Sequence, residues 1–336
     1  MVQAPSSPLV SVVIPSFQHA AYVGIAVESV LGQSLSDLEV IVVDDGSTDG
    51  TADVVAGIRD PRLRLVRLGE NRRDHARNIG LAMASGRYVA FQNSDDEWLP
   101  EKLARQLEVL ERRPEVGAVF TAVSIIDGTG SPARSTWAEG LFFAGRQQRS
   151  ASEWLRAFFV ANCLCITSAV VRHDLLRQLG PFRPSLVQLA DLDMWIRLAA
   201  VTELHVIPEA LTRMRVMGQS NLSAPTEAAA ARAMLEMVDV LENYARPPIV
   251  ERLPTLFPEM SVAPGTDLVV GLAAFARLAA TDGELPHRLF ADRILSRLID
   301  DPISREKLMT AFGANIVKFF WQNRAAWFKS PARGSP

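Results

Sequence analysis

Three acidic groups in this chain have the spacing to do chemistry: Asp44-Asp45, Asp95-Asp96, and Asp191 with Asp193. The middle one is the most telling. A short apolar run, Tyr88-Val89-Ala90-Phe91, drives through Gln92-Asn93-Ser94 into Asp95-Asp96-Glu97, and Pro100 then opens a helical pattern. That reads as a buried strand whose carboxyl end delivers acids to a cleft, where open α/β sheets bind their ligands. Adjacent carboxylates repel each other unless something positive joins them, and a divalent cation is the simplest candidate. Asp and Asn are also ordinary turn residues, so each group alone is weak. At matching ends of neighbouring strands, Asp44-Asp45 and Asp95-Asp96 can converge on one crevice.

The elements that must position these acids follow from periodicity. Val10–Ile14, Leu38–Val43, Leu63–Leu68, Arg87–Gln92 and Val116–Ala122 are apolar, β-branched runs that read as strands. Between them, Val23, Val27, Val30 and Leu31 recur at helical spacing, as do Leu103, Leu107 and Leu110, and Thr51–Ile58 and His75–Ala84 also read as helices. Strands alternating with helices imply parallel pairing and a doubly wound sheet. Beyond Asp127 the alternation weakens. Gly128–Gln148 reads as a loop, Trp154–Val160 as a helix, Cys165–Val171 as a strand, and Val206-Ile207-Pro208 as the end of a short strand. His173–Leu179 is a short predicted helix and Ala190–Ala200 a longer one that carries Asp191 and Asp193. From about Pro225, Ala-rich segments (Thr226–Tyr244, Asp267–Ala280, Leu289–Ile299) punctuated by prolines predict an α-helical extension. The expected domains are therefore 8–224 and 225–336.

Composition bounds the function classes. A chain of 336 residues with 48% hydrophobic content holds one large domain plus an extension. A net charge of −3 argues against a nucleic-acid partner. Cys163 and Cys165 are too close for a mutual disulfide and lack zinc spacing, which points to reduced thiols in a cytoplasmic protein. Met1–Pro8 does not read as a signal peptide, and Leu268–Ala280 is too short to cross a bilayer. The C-terminal stretch Ile316–Lys329 mixes aromatic and basic residues, as a helix packed on the main domain or lying in a membrane interface would.

Several ordered blocks together resemble family 2 glycosyltransferases. They are Val10-Ser11-Val12-Val13-Ile14-Pro15-Ser16-Phe17, Val27–Ser34, Val40–Thr51 with its Asp44-Asp45-Gly46-Ser47, and Asn71 with Ala76-Arg77-Asn78-Ile79-Gly80. Asn93-Ser94-Asp95-Asp96-Glu97-Trp98 resembles the family's metal-binding DxD region, and Asp191-Leu192-Asp193-Met194-Trp195 its later Glu-Asp segment. The resemblance covers about residues 8–223. It implies a GT-A fold: a Rossmann-like mixed, mostly parallel sheet flanked by helices, here with an α-helical C-terminal extension. It also implies an inverting, metal-assisted transfer of a sugar from a nucleotide-sugar to an acceptor hydroxyl.

Carried over residue by residue, the resemblance gives Asp45 the nucleotide base, with Pro15 and Ser16 lining that pocket. Arg77 stands by the diphosphate or shapes the pocket, and Asn93 faces the ribose or metal-bound water. Asp95 ligates Mn²⁺ or Mg²⁺, with Asp96 a second candidate, and Asp191 is the general base. The implied partners are a nucleotide-sugar, with UDP-sugars favoured, and a glycan, lipid-linked or other hydroxyl acceptor. The implied location is cytoplasmic, with peripheral contact at the inner face of the membrane through Ile316–Lys329. The chemistry is coherent, because a hard cation stabilises charge growing on a leaving diphosphate and a weakly nucleophilic hydroxyl needs a base.

The chain departs from the pattern at Asn93 (in place of Asp), Ala190 (in place of Glu), Arg183-Pro184 (in place of an acidic pair) and Met217 (in place of His), while Arg215 and Ser223 remain. A degenerate domain that binds a nucleotide or partner without turnover is therefore the rival reading. A phospho-accepting receiver domain has no use for the Asp95 and Asp191 blocks. A sugar nucleotidylyltransferase wants a Gly-rich loop where this chain has Pro15-Ser16-Phe17-Gln18-His19. Among the other candidates, His19 is expected near the nucleotide pocket, and His75 and His173, at helix starts, as polar surface or cap residues. Trp195 and Trp98 are expected as core aromatics or as acceptor-site walls.

Overall fold

A computed structural model describes residues 7–71, 75–142, 147–218, 221, 224 and 226–324. The chain forms two compact units that divide between Ala229 and Ala230.

In the first unit, strands β1 (Val10–Ser16), β2 (Leu38–Asp44), β3 (Leu63–Arg67) and β4 (Tyr88–Phe91) alternate with helices α1 (Val23–Leu31), α2 (Thr51–Gly57) and α3 (His75–Met83). After the short β5 (Glu97–Trp98) come α4 (Lys102–Arg112), β6 (Val116–Ile126), α5 (Thr136–Phe142) and α6 (Ala151–Val160). The unit continues with β7 (Val170–Arg172), α7 (His173–Leu179), α8 (Ala190–Ala199) and β8 (Glu203–Arg215). The sheet order is β3-β2-β1-β4-β7-β6-β8-β5. Pairing is parallel for β1 with β2 and β4, for β2 with β3 and for β6 with β8. It is antiparallel where β7 is inserted between β4 and β6, and where β5 joins β8.

β1, β2 and β4 are buried on both faces, which is why their sequences run apolar without alternating. Val23, Val27 and Val30 of α1 and Leu103, Leu107 and Leu110 of α4 join this core as single helical stripes. Each such side chain contributes about 1.5–3 kcal/mol on burial.

Three sequence expectations change. The Gly128–Gln148 loop contains α5, a helix too short to show a period (143–146 fall outside the described residues). The expected strand Cys165–Val171 shrinks to β7, preceded by a 3₁₀ turn at Ile166–Ser168. There Ser168 Oγ bonds Cys165 O at 2.7 Å, the local side-chain competition that Ser brings to a backbone. The short strand ending at Pro208 is instead β8, which runs on to Arg215. Its pairing with β6 shifts register around Ile207 and Ala210, so the proline sits in an irregularity that spares the ladder.

The second unit is helical: α9 (Glu227–Leu241), α10 (Leu253–Leu256), α11 (Leu268–Asp282), α12 (Leu285–Asp300), α13 (Pro302–Phe312) and α14 (Asn315–Arg324). Phe275 anchors its core, 4.9 Å from Phe257, 5.7 Å from Tyr244 and 6.0 Å from Phe290 between ring centroids. In α14, Ile316 and Phe320, one turn apart, are buried, while Trp321 is exposed. The rest of the aromatic and basic stretch, 325–329, lies outside the described residues. No helix among the described residues is long and apolar enough to cross a membrane.

Candidate active site

The carboxyl ends of β1 and β2 meet in register, Ser16 opposite Asp44, and Asp45 N–H donates to Ser16 O at 2.8 Å. Asp44 and Asp45 are both buried, and Pro15 is half-buried beside them. Gly46 turns the chain away with φ 78°, and a Cβ there would lie 2.8 Å from the carbonyl carbon of Glu70, so only glycine fits. Two buried polar atoms at this place, Ser16 Oγ and Asp44 Oδ1, have no hydrogen-bond partner among the described residues.

Gln18 fastens the loop after β1 to the loop after β2. Its Oε1 accepts from Thr48 N at 2.8 Å and Asp49 N at 3.2 Å, and its own N–H donates to Ser47 Oγ at 2.9 Å. Its backbone takes a positive φ of 54°, uncommon for a non-glycine residue. Nothing in the sequence singled Gln18 out.

The acidic turn links β4 in the middle of the sheet to β5 at its edge. Gln92 Nε2 donates to Asp96 O at 2.8 Å, and Asn93 Nδ2 to Asp96 Oδ2 at 2.9 Å. Arg215 N–H donates to Asp96 Oδ1, also at 2.8 Å. Each oxygen of Asp96 thus accepts one hydrogen bond, and the residue is buried, which makes it less accessible to a cation than its half-buried neighbour Asp95. Burial, then the charge of Asp95, push the Asp96 carboxyl well above the usual range. Asp95 is different: its carboxylate accepts no hydrogen bond from any other described residue. Burial raises it, and His19 and Arg215 oppose that rise. His19 Nδ1 lies 2.7 Å from Ser94 Oγ, tying the end of β1 to this turn.

Arg215 holds the turn from the end of β8. Its side chain is buried and donates to Asp95 O at 2.8 Å, to Asp127 O at 2.6 Å and to Glu97, while stacking on Tyr22 at 4.9 Å. Those commitments make it a scaffold rather than an open phosphate contact. Ser223 lies outside the described residues. Behind the turn, Trp98 Nε1 donates to Thr167 O at 2.8 Å, and Lys102 Nζ sits 3.8 Å over the Trp98 ring. Lys102 is fully buried with Gln106 Oε1 as its hydrogen-bond partner at 2.8 Å, and burial drives its pKa well down.

Asp191 and Asp193 occupy the first turn of α8. Asp193 is fully buried between Arg183 at 3.2 Å and Arg197 at 2.9 Å. Arg183, a departure from the family pattern, therefore has a structural partner here. Asp191 is half-buried, and its carboxyl is raised by burial against the pull of Arg77. Arg77 comes from α3, stacks over Phe182 at 5.2 Å, and is positioned by its neighbour Asn78, whose side chain makes two bonds to the Phe182 backbone. Asn162 Nδ2 donates to Asp191 Oδ2 at 2.9 Å. The buried Cys165 thiol is pushed well up by burial, and the charges of Asp96, Asp191 and Asp95 all add to it. Cys165 is therefore a common neighbour of the two acidic groups.

Trp195 is core, edge-on to Phe120 at 4.8 Å. His173 is also buried, donating from Nδ1 to Gly86 O at 2.7 Å, so it is not the surface residue its place at a helix start suggested. Among the described residues no group of three or more His, Cys, Asp or Glu side chains is arranged to hold a metal ion. Asn162, Thr167 and Gln18 escaped sequence reasoning because amides and hydroxyls give no signal until their partners are known.

A mixed α/β sheet with acids at its strand ends, followed by a helical region, defines a GT-A-like protein. The model of the family described as glycosyl transferase family 2 matches residues 11–180, and the chain belongs to that family. It is 44% identical over 128 residues to TuaG of Bacillus subtilis, named as a teichuronic acid biosynthesis glycosyltransferase, a match covering 37% of this chain. That match spans half of TuaG's own length. Among solved structures it resembles S. aureus TarS 1-349 in complex with UDP-GlcNAc, with a TM-score of 0.57 at 17% identity, covering 97% of this chain and 98% of that one. It also resembles the mannosyltransferase PcManGT from Pyrobaculum calidifontis in complex with GDP-Man and Mn2+, with a TM-score of 0.52 at 21% identity, covering 95% and 89%. At these identities the structural likeness concerns the fold.

Proposed function

We propose that this chain transfers a sugar from a nucleotide-sugar to an acceptor hydroxyl with inversion at the anomeric carbon. The observation that carries the reading is a division of labour among four acids. Asp96 and Asp193 are fully buried on partners from other parts of the chain, while Asp95 and Asp191 are only half-buried. In this reading Asp191 is the general base. The upward shift of its carboxyl suits the role, because a less acidic carboxyl is a stronger base toward the acceptor hydroxyl. Asp45, Pro15 and Ser16 line the nucleotide pocket. The partnerless Ser16 Oγ and Asp44 Oδ1 support that placement, since buried polar atoms left unsatisfied cost about 1–3 kcal/mol that a polar ligand would recover. Arg77 faces the diphosphate side of the site, and Asn93 offers its remaining amide oxygen to the ribose.

In this reading a hard cation would be held through the half-buried Asp95 carboxylate, which accepts no hydrogen bond from another described residue; Asp96 is not a ligand. Mn²⁺ or Mg²⁺, when bound, neutralises charge developing on the leaving diphosphate. UDP-sugars are the favoured donors, in line with the ligand in the TarS complex, and GDP-sugars are the next to try. The acceptor is proposed to be a glycan or lipid-linked hydroxyl in polysaccharide synthesis, in line with the name of TuaG. A cytoplasmic location with peripheral membrane contact through Ile316–Lys329 belongs to the same proposal. The exposed Lys318, Trp321 and Arg324 of α14 support it, and failure of the full chain to float with anionic vesicles would remove it.

The deciding experiment incubates the full chain with UDP-GlcNAc, UDP-glucose or GDP-mannose, Mn²⁺ and a mixture of hydroxyl acceptors, and follows nucleoside diphosphate release. Asp191→Asn should lower turnover by about 10²–10⁴-fold while leaving donor-induced thermal stabilisation in place. Thermal stabilisation without release from any donor would instead support a non-catalytic binding domain.

A further inference from the structure

Asn162 lies in the connection between α6 and the 3₁₀ turn at Ile166–Ser168, remote in sequence from α8. Its amide is fixed from both sides. Nδ2 donates to Asp191 Oδ2 at 2.9 Å, and Oδ1 accepts Leu164 N–H at 3.2 Å. Leu164 sets the orientation of that amide, because a flipped side chain would face oxygen to oxygen at Asp191 and N–H to N–H at Leu164. The other Asp191 oxygen, Oδ1, accepts Leu192 N–H at 2.8 Å. Each carboxylate oxygen is thus held by one donor, from two different elements, and each keeps lone-pair capacity for one further proton donor.

We infer that Asn162 is a positioning residue that fixes the orientation of the Asp191 carboxylate and favours its charged form. The inference rests on the reading of Asp191 as general base. It explains how a carboxylate on the first turn of a helix, a position with side-chain freedom, is held ready for a hydroxyl approaching from a set direction. A hydrogen bond donated to the ionised form stabilises that form. Burial works the other way, and Arg77 from α3 and Asn162 oppose it.

Several other charged groups around α8 have partners of their own. Asp193 is held by Arg183 and Arg197, and Glu153 of α6 closes a capping box with Ser150. His173 of α7 bonds Gly86 O, while Glu203 of β8 accepts Ala151 N–H at 2.9 Å. The Cys165 thiol is pushed well up and so stays neutral near pH 7.

The test compares the parent with Asn162→Ala and the near-isosteric Asn162→Asp, using whichever of UDP-GlcNAc, UDP-glucose or GDP-mannose the parent turns over. In Asn162→Ala, kcat should fall by about 10–100-fold, as for loss of a charge-assisted hydrogen bond, with donor KM within about twofold of the parent. The acid limb of the pH profile should move up by about one unit, and further in Asn162→Asp, where a second carboxylate faces the first. Unchanged acid limbs in both variants would overturn the inference. A parallel measurement needs no turnover: the carbon-13 titration of the Asp191 carboxyl should show a higher midpoint in both variants than in the parent. If the parent is inactive with all three donors, the proposed transfer fails while this titration still decides whether Asn162 governs Asp191. An unmoved midpoint overturns that control.

Discussion

The turn after β4 and the first turn of α8 solve one problem with different materials. Each carries two acids close in sequence, and each buries one and leaves the other available. At the turn, the buried Asp96 is held by neutral donors, a backbone N–H from Arg215 and the amide of Asn93. On α8, the buried Asp193 is held by two guanidinium groups. The difference teaches what Asn93 does. A carboxylate neutralised by arginines tolerates acidic neighbours, whereas one satisfied by dipoles needs its neighbours to donate. Asn93 supplies that donor, so the departure from the family's acidic residue is matched by a local partner.

The largest expected effect separates the two regions by stability. Arg215→Met strips the acidic turn of its bonds to Asp95 O, Asp127 O and Glu97 and should cost about 3–5 kcal/mol, as breaking a buried charged network does. Asp193→Asn should cost less, about 1–2 kcal/mol, because the amide oxygen still accepts from one guanidinium and Arg183 and Arg197 keep contact with water. Equal losses in denaturant melts would break the comparison. Next in size, Asn93→Asp sets a carboxylate against Asp96 and should destabilise the cation-free protein by on the order of 2 kcal/mol. A melting temperature equal to or above the parent's would show that the amide is not needed.

The smallest effect concerns Lys102, a buried amine with no carboxylate partner among the described residues. Its pKa lies well below the usual lysine value of 10.5, so between the lowered value and 10.5 the unfolded chain binds a proton that the folded chain does not. In that window its contribution to stability rises with pH. Lys102→Met should flatten that rise and leave stability at neutral pH within about 1 kcal/mol of the parent, or above it, since the stem's packing is kept and the buried amine removed. A large loss would mean that the stack on Trp98 outweighs desolvation.

Much of this protein was legible in the order of its residues. The alternation of apolar runs with helical stripes marked β1 to β4 and α1 to α4, because burial on both faces of a parallel sheet leaves a continuous apolar signature. The acids at the strand ends marked the site, because carboxylates seldom gather without something to bind. Other features were hidden. β7 enters antiparallel between β4 and β6, and β8 runs past Pro208; both depend on which strand lies alongside.

The same holds for the four acids. Sequence by itself determined the sheet-and-helix class, the family and the three places where carboxylates cluster, since those follow from hydrophobic period and residue type. It could not say which acid of Asp95 and Asp96, or of Asp191 and Asp193, is buried. Only the tertiary structure decided that Asp96 and Asp193 are buried while Asp95 and Asp191 stay half-exposed. The partners that settle it come from distant chain segments: Arg215 at the end of β8 for Asp96, and Asn162 before the 3₁₀ turn for Asp191. A hydrogen bond has range only in space, so its two ends leave no mark on spacing along the chain.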